Sequence, residues 1–279
     1  MARSEPPEPA EIGELVAAAW ERHRERLFEG QRPVSEWLVE QIDLRPGQTV
    51  LELTAGPGET GFLVAERIGP KGRLISTDLS PRMIDAARRG AEARGLTNTE
   101  FRVMDAQDIE LPDESVDGVI SRFGVMLTPE PARVASEARR VLRDGGRFAY
   151  AVFGRADRNP WLTLLAGAIL ERGHAPEGDP FGPAGPFSLA TPDANRGLFD
   201  GLGFSDVRVQ EIESTLHFDD FDAYWNLQSE VAGPIAILVS SLLPDEVKAI
   251  KSTVESKTAP FLTANGYDFP SLALGISAS

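Results

Sequence analysis

The sequence predicts an α/β protein: a doubly wound, mostly parallel sheet of seven strands, with helices on both faces and added helical lid or cap elements. Three observations carry that expectation. Residues 49–61, TVLELTAGPGETG, run from a short apolar strand into a glycine loop and out into a helical pattern. That is the grammar of a nucleotide-binding strand–turn–helix unit. Strand and helix patterns then alternate as far as Phe153, which calls for parallel strands joined by right-handed helical crossovers. Acidic residues stand at or near the carboxyl ends of the first three strands, at Glu52, Asp78 and Asp105, where open Rossmann-like sheets bind their ligands.

Taken in order, residues 9–29 read as an amphipathic helix, with Ile12, Leu15, Val16, Ala19 and Trp20 at helical spacing. A second helix covers about 34–42, entered through Pro33. These two helices either cap the sheet or roof a substrate pocket, with Trp20, Phe28 and Trp37 as apolar walls. The first strand is 49–53, and its helix, 59–68, ends at Gly69-Pro70-Lys71-Gly72. The second strand, 73–77, closes with Asp78. Ser80 then caps a helix that runs to about residue 94, with Pro81 at its first position. The third strand, 99–104, ends in Asp105-Ala106-Gln107-Asp108, and the fourth is 116–121. The apolar loop 122–127 reads either as a site wall or as residues buried under a helix. A helix at 131–142, ended by Asp144-Gly145-Gly146, leads to a fifth strand at 147–153.

Beyond residue 154 the rhythm breaks. Helices are expected at 161–172, 191–202, 218–230 and 244–259, a sixth strand at 206–212 and a last one at 272–276. Gly and Pro crowd residues 173–186, as in a lid or an ordered coil over a site. The expected division is a helical cap at 1–45, a cofactor-binding core at 46–154, and cap helices and loop plus the last two strands at 155–279.

The 279 residues suffice for one large α/β domain with extra elements. A net charge of −15 opposes binding to nucleic acid or an anionic membrane. No apolar run reaches the roughly 18 residues needed to span a bilayer, so neither partner is expected. Cysteine is absent, which removes disulfides, thiolate metal sites and a cysteine nucleophile, and fits a cytoplasmic protein. The opening, MARSEPPEPAEIGE, is too acidic and polar for a signal peptide, and its first residues are expected to be disordered. No His/Asp/Glu cluster has ligand spacing, so no metal is expected.

Gly56-x-Gly58-x-x-Gly61 matches the dinucleotide fingerprint, a weak signal alone. Glu59, in the first turn of the helix, opposes a pyrophosphate there. Glu52, near the strand's carboxyl end, suits a cationic group. Asp78, about 20 residues beyond the loop, suits ribose hydroxyls. Asp105 and its neighbours suit an adenine amine or form a solvated loop. A ligand with adenine, ribose and a positively charged amino-acid tail, S-adenosylmethionine, fits these charges better than NAD.

Four ordered stretches carry a family resemblance: VLELTAGPGETG, STDLSPRMIDAARR, MDAQDIELPDESVDGVISRFGVM and EARRVLRDGGRFAYAVFG. Together, over about residues 48–154, they resemble a class I S-adenosylmethionine-dependent methyltransferase. The likeness is to the small-molecule branch that includes the ubiquinone and menaquinone C-methyltransferases. The resemblance implies that Glu52, Ala55, Gly56 and Gly58 line the methionine end of the cofactor. It implies that Asp78 holds the ribose, with Leu79 and Met83 beside the adenine and Asp105 and Ala106 flanking its amine. Ser121, Arg122 and Phe123 would lie near the sulfonium. Two departures stand out: Thr54 replaces a family glycine, and Met126 stands where the quinone branch often has arginine, which favours a different acceptor.

Methyl transfer from a sulfonium is an in-line displacement, so alignment and exclusion of water are the protein's main tasks. Candidates for a general base are His174 in the Gly/Pro-rich loop, His23 if the first helix is a lid, and Tyr224. Their plainer readings are surface histidines and a core tyrosine. His217 reads as a surface or packed residue. The expected function is O- or C-methylation of an apolar small molecule, aromatic acceptors included. The alternatives are an NAD-dependent oxidoreductase and a non-catalytic S-adenosylmethionine-binding protein. A homodimer through the added helices is compatible with the sequence, though no motif marks an interface.

Overall fold

The computed structural model describes residues 9–175 and 185–279. The expected disorder of the first residues and the middle of the 173–186 loop lie outside that range. Helices α1 (Pro9–Gly30) and α2 (Arg32–Gln41) precede β1 (Thr49–Leu53), α3 (Glu59–Ile68), β2 (Arg73–Asp78), α4 (Pro81–Ala93) and β3 (Thr99–Val103). Next come β4 (Val116–Arg122), α5 (Pro131–Val141), β5 (Leu142–Phe153), α6 (Pro160–Glu171), α7 (Pro192–Gly197) and β6 (Arg208–Phe218). The chain continues through α8 (Phe221–Val231), α9 (Pro234–Ser241), α10 (Pro244–Thr258), the two-residue β7 (Leu262–Thr263) and β8 (Gly266–Ala278).

The strands form one sheet in the order β3-β2-β1-β4-β5-β8-β6, with β7 attached to β8. The first five are parallel, with Leu51 opposite both Ile75 and Val119. β8 runs antiparallel between β5 and β6. Val50, Leu51 and Leu53 are fully buried, as in a parallel strand covered on both faces. α2 and α3 cover one face through Val34, Leu38, Val64 and Ile68. On the other face, Val134, Ala138 and Val141 of α5 join the larger core together with α6 and α8.

The chain turns back on its own order between β1 and β4. That switch point opens a crevice at the carboxyl ends of the strands, where this architecture places ligands. Leu53 pairs with Ser121 at the rim.

Several expected boundaries move. β6 runs to Phe218 instead of stopping at 212, because β8 pairs with it from Arg208↔Ser277 to Phe218↔Tyr267. A pairing partner stabilises a strand whose own composition is polar. β5 starts at Leu142, opposite Val116, and an irregularity follows before Arg147 meets Gly118. α7 stops at Gly197, short of 202. α9 was not expected at all. Its sequence, PIAILVSS, is apolar around most of its circumference and shows no amphipathic period. Among the described residues no helix is long and apolar enough to cross a membrane.

The first two helices divide the roles expected of them jointly. α2 belongs to the sheet cover: Trp37 is buried against the sheet and donates its indole N–H to Gln210 at 3.1 Å. α1 lies outside that layer. It packs Val16 and Ala17 on Met83 of α4 and ties to α8 through the Trp20 indole N–H, which donates to the Val231 carbonyl at 3.1 Å. Trp37 is therefore no pocket wall, whereas Trp20 stays partly exposed beneath the strap that α1 forms.

Candidate active site

The glycine loop is held open by its own backbone. Thr54, Gly56 and Gly58 all have positive φ, at 54°, 56° and 89°. Thr54, where the family resemblance implies a glycine, takes the left-handed conformation, which costs a β-branched residue about 1–2 kcal/mol. Its hydroxyl donates to the Leu53 carbonyl at 2.6 Å and lies 2.7 Å from Ser121 Oγ. Gly124 leaves room for it, since a Cβ there would overlap the Thr54 side chain. Ala55 N–H donates to the Thr77 carbonyl at 2.9 Å, tying the loop to the end of β2. A Cβ on Gly56 would meet nothing within 4 Å, so the loop faces open space there.

Glu52 is buried and used internally. One oxygen accepts the Gly61 N–H and the other the Ser76 hydroxyl, both at 2.7 Å. Burial pushes its carboxyl up to about 8, against these two hydrogen bonds. The side chain fastens the start of α3 to β2, which explains the third glycine of the motif: a Cβ at Gly61 would overlap the carboxylate. The expected direct role toward a cationic ligand is therefore not what its contacts show.

Asp78 sits at the crevice rim. Its Oδ2 accepts the Gly56 N–H and its Oδ1 the Ser80 N–H, each at 2.9 Å. Burial pushes its carboxyl upward, against those hydrogen bonds. With Leu79 N–H also acting on it, the carboxylate keeps part of its four-site acceptor capacity for a ligand hydroxyl. Leu79 beside it is exposed to 36%. Met83 is buried under α1, and its N–H donates to the Ser80 capping hydroxyl. Asp105 accepts the Gln107 N–H at 2.8 Å in a local turn, next to buried Ala106.

Glu59 corrects one expectation. Its carboxylate is buried and bound by Arg24 of α1 and Arg94 just beyond α4. Two guanidiniums neutralise the charge that was expected to repel an anion, so the N-terminus of α3 is not barred to one.

At the ends of β4 and β5, Phe123 stacks on Phe153 with centroids 4.1 Å apart, and Phe153 meets Trp161 edge-on at 5.8 Å. Val125 and Met126 are buried and Leu127 is exposed. The loop at 122–127 thus supplies an aromatic wall at Phe123 and a buried prop behind it. Phe153 and Trp161, both buried beside this loop, were not singled out from the sequence. The position of Phe153 at a strand's carboxyl end was a usable signal, whereas nothing local marked Trp161. Among the described residues, Trp161 Nε1 and Gln228 Nε2 are buried donors without a hydrogen-bond partner.

The proposed bases do not converge on this crevice. His23 Nε2 lies 3.0 Å from Glu230, and His174 Nε2 lies 3.0 Å from Glu246 on α10. His217 lies 2.7 Å from Asp268 on the sheet edge. Tyr224 is fully buried, stacks on Phe269 and donates to the Trp161 carbonyl at 3.1 Å. Burial pushes its phenol far up, so it is a core residue and no base.

An open glycine loop, an acid with lone-pair capacity at the rim and an exposed apolar side chain beside it fit a zwitterionic adenosyl cofactor. A family model described as a methyltransferase domain matches residues 44–171. An arsenite methyltransferase of Halobacterium salinarum is 35% identical over 182 residues, covering 64% of this chain and 43% of that protein. The chain therefore spans less than half the length of that relative. A solved structure of an S-adenosylmethionine-dependent methyltransferase from Aquifex aeolicus shares the fold, with a TM-score of 0.51 over 98% of both chains at 16% identity. Aklanonic acid methyltransferase DauC of Streptomyces sp. strain C5 is 34% identical over 152 residues, covering 52% of this chain and 68% of that protein. With a matched domain, a relative covered over two thirds of its length and a shared fold, the chain belongs to the class I S-adenosylmethionine-dependent methyltransferases.

Proposed function

We propose that this protein transfers the methyl group of S-adenosylmethionine to an oxygen or carbon of an apolar small molecule, aromatic acceptors included. The observation that carries the reading is the pairing, at the switch point, of the open Gly56 loop and Asp78 with the aromatic wall of Phe123 and Phe153. When bound, the cofactor supplies an electrophilic methyl group on a sulfonium. Asp78 would accept from the ribose hydroxyls, with the Gly56 N–H keeping its carboxylate oriented. Leu79 and Ala106 offer apolar surface to the adenine, and Asp105 a carboxylate to its amine. Ala55, Gly56 and Gly58 would hold the methionine end through their backbone, with Ser121 on the sulfonium side. Phe123, Phe153 and Trp161 exclude water and orient the acceptor. Trp161 Nε1, a buried donor lacking a partner, is suited to an acceptor oxygen. Alignment supplies the rate where no side-chain base is in place.

The aklanonic acid relative supports a small organic acceptor. Arsenite suits this chain less well, because it contains no cysteine to offer a soft thiolate ligand. The dinucleotide reading of the glycine loop loses its ground with the family.

Calorimetric titration with S-adenosylmethionine, S-adenosylhomocysteine and NAD tests the cofactor. Binding of the two adenosyl compounds without NAD is expected. Asp78→Ala should weaken S-adenosylhomocysteine about 10- to 100-fold, the effect of losing a charge-assisted hydrogen-bond pair. Unchanged affinity would remove Asp78 from the ribose site. Wild-type protein that binds neither adenosyl compound would overturn the function. Binding without methyl transfer to any member of a phenol and quinol panel would instead favour a non-catalytic role.

A further inference from the structure

Arg122, the last residue of β4, follows Ser121 and so points to the opposite face of the sheet. Ser121 Oγ meets Thr54 in the crevice, while Arg122 reaches toward α2 and donates from Nη1 to Ser35 Oγ at 3.1 Å. Ser35 Oγ in turn lies 3.0 Å from Thr60 Oγ1 in the first turn of α3. The guanidinium is deeply enough placed that burial pulls it down to about 10, so it remains charged at neutral pH.

No acid among the described residues forms an ion pair with it. The two acids that act on it through space, Glu52 and Glu59, are both engaged elsewhere. Glu52 accepts from Ser76 and Gly61, and Glu59 is bound by Arg24 and Arg94. A partly buried cation whose partners are one hydroxyl, Ser35 Oγ, and the Phe123 ring 6.0 Å from its guanidinium carbon keeps further N–H donors for a ligand anion. The adjacent N-terminus of α3 also favours an anion, now that the Glu59 charge is neutralised.

We infer that Arg122, with Ser35, receives the carboxylate of the cofactor's methionine tail and so selects ligands carrying an amino-acid tail. Arg122 is then a binding residue on the tail side of the cofactor, away from the sulfonium, whose positive charge it would repel. The inference rests on the methyl-transfer reading.

The test is a double cycle of binding affinities, read by calorimetry. Wild type and Arg122→Met are each titrated with S-adenosylhomocysteine, its decarboxylated analogue and 5′-methylthioadenosine. Removing either the carboxylate or the guanidinium should weaken binding about 10- to 100-fold. Removing both should cost no more than removing one, because the two losses are the same interaction. Affinity for 5′-methylthioadenosine should stay within about twofold, which also shows that the variant keeps its fold. Arg122→Lys, which retains the charge without the fork, should fall between. Additive losses, an unchanged affinity for S-adenosylhomocysteine, or an equal loss for all three ligands would overturn the assignment and leave the methyl-transfer reading standing. Failure of the wild type to bind any of the three would sink that reading, and this inference with it.

Discussion

Glu52 shows how one buried side chain shapes the site without facing it. Its folded-state value of about 8 lies above the ordinary 4.5. The native protein therefore holds a proton that the unfolded chain has released, and this group makes stability fall as pH rises through that window. Glu52→Gln keeps an acceptor for the Gly61 N–H and a donor for Ser76 Oγ but cannot ionise. Its stability should exceed that of wild type increasingly from pH 5 to pH 8, by at most about 1.4 kcal/mol per pH unit. Urea denaturation at several pH values checks this, and parallel curves would contradict it. The chemical type of Glu52 and its strand-end position were readable from sequence. Its partners were not, because Ser76 lies on another strand and meets it only through the register of β1 with β2. Glu59 teaches the same lesson with opposite effect, since its neutralising arginines, in α1 and just beyond α4, are distant in sequence.

At the scale of elements, those with a strong local signal match the sequence closely: β1 and α3 have the expected bounds, and Ser80 caps α4 by accepting the Met83 N–H. Elements defined by their neighbours do not, as the length of β6 and the absence of a period in α9 show. The junction of α6 with β8 depends on Asn159, which is fully buried. Its amide N–H groups donate to the carbonyls of Arg155 and Leu272, and its Oδ1 accepts from Ser271 Oγ and the Leu272 N–H, all within 2.9–3.1 Å. Asn159→Ala leaves the buried Leu272 N–H without its partner, while the Leu272 carbonyl keeps the Gly154 N–H, the Arg155 carbonyl the Arg158 N–H and Ser271 Oγ the Gln31 amide, and should cost about 2 kcal/mol. A loss below about 1 kcal/mol in denaturant titration would mean that water or rearrangement replaces the bonds. The helix starting near 161 was readable, but the role of Asn159 as a clamp at its entrance was not, since Leu272 is far along the chain.

At the scale of the molecule, the last strand closes the sheet. Among the described residues β6 pairs only with β8, which also covers the edge of β5. Ending the chain at Asn265 removes buried Leu272, Ala273, Leu274 and Ile276 and strands β6. Circular dichroism melting of that truncation should show no cooperative transition, and a sharp one would mean that the remaining sheet is an independent unit. α1 likewise joins parts remote in sequence: Arg24 binds the Pro57 carbonyl of the glycine loop, and Arg26 binds Asp219 beyond β6.

The order of strands and helices through Phe153, the glycine loop and the acids at the strand ends follow from local periodicity and turn chemistry, which act between residues near in sequence. The partners of those acids, the aromatic wall, the separation of α1 from α2 and the surroundings of Arg122 depend on long-range register and packing. Burial and charge pairing are properties of the assembled sheet, where residues many positions apart share one dielectric environment, and no stretch of sequence states them alone.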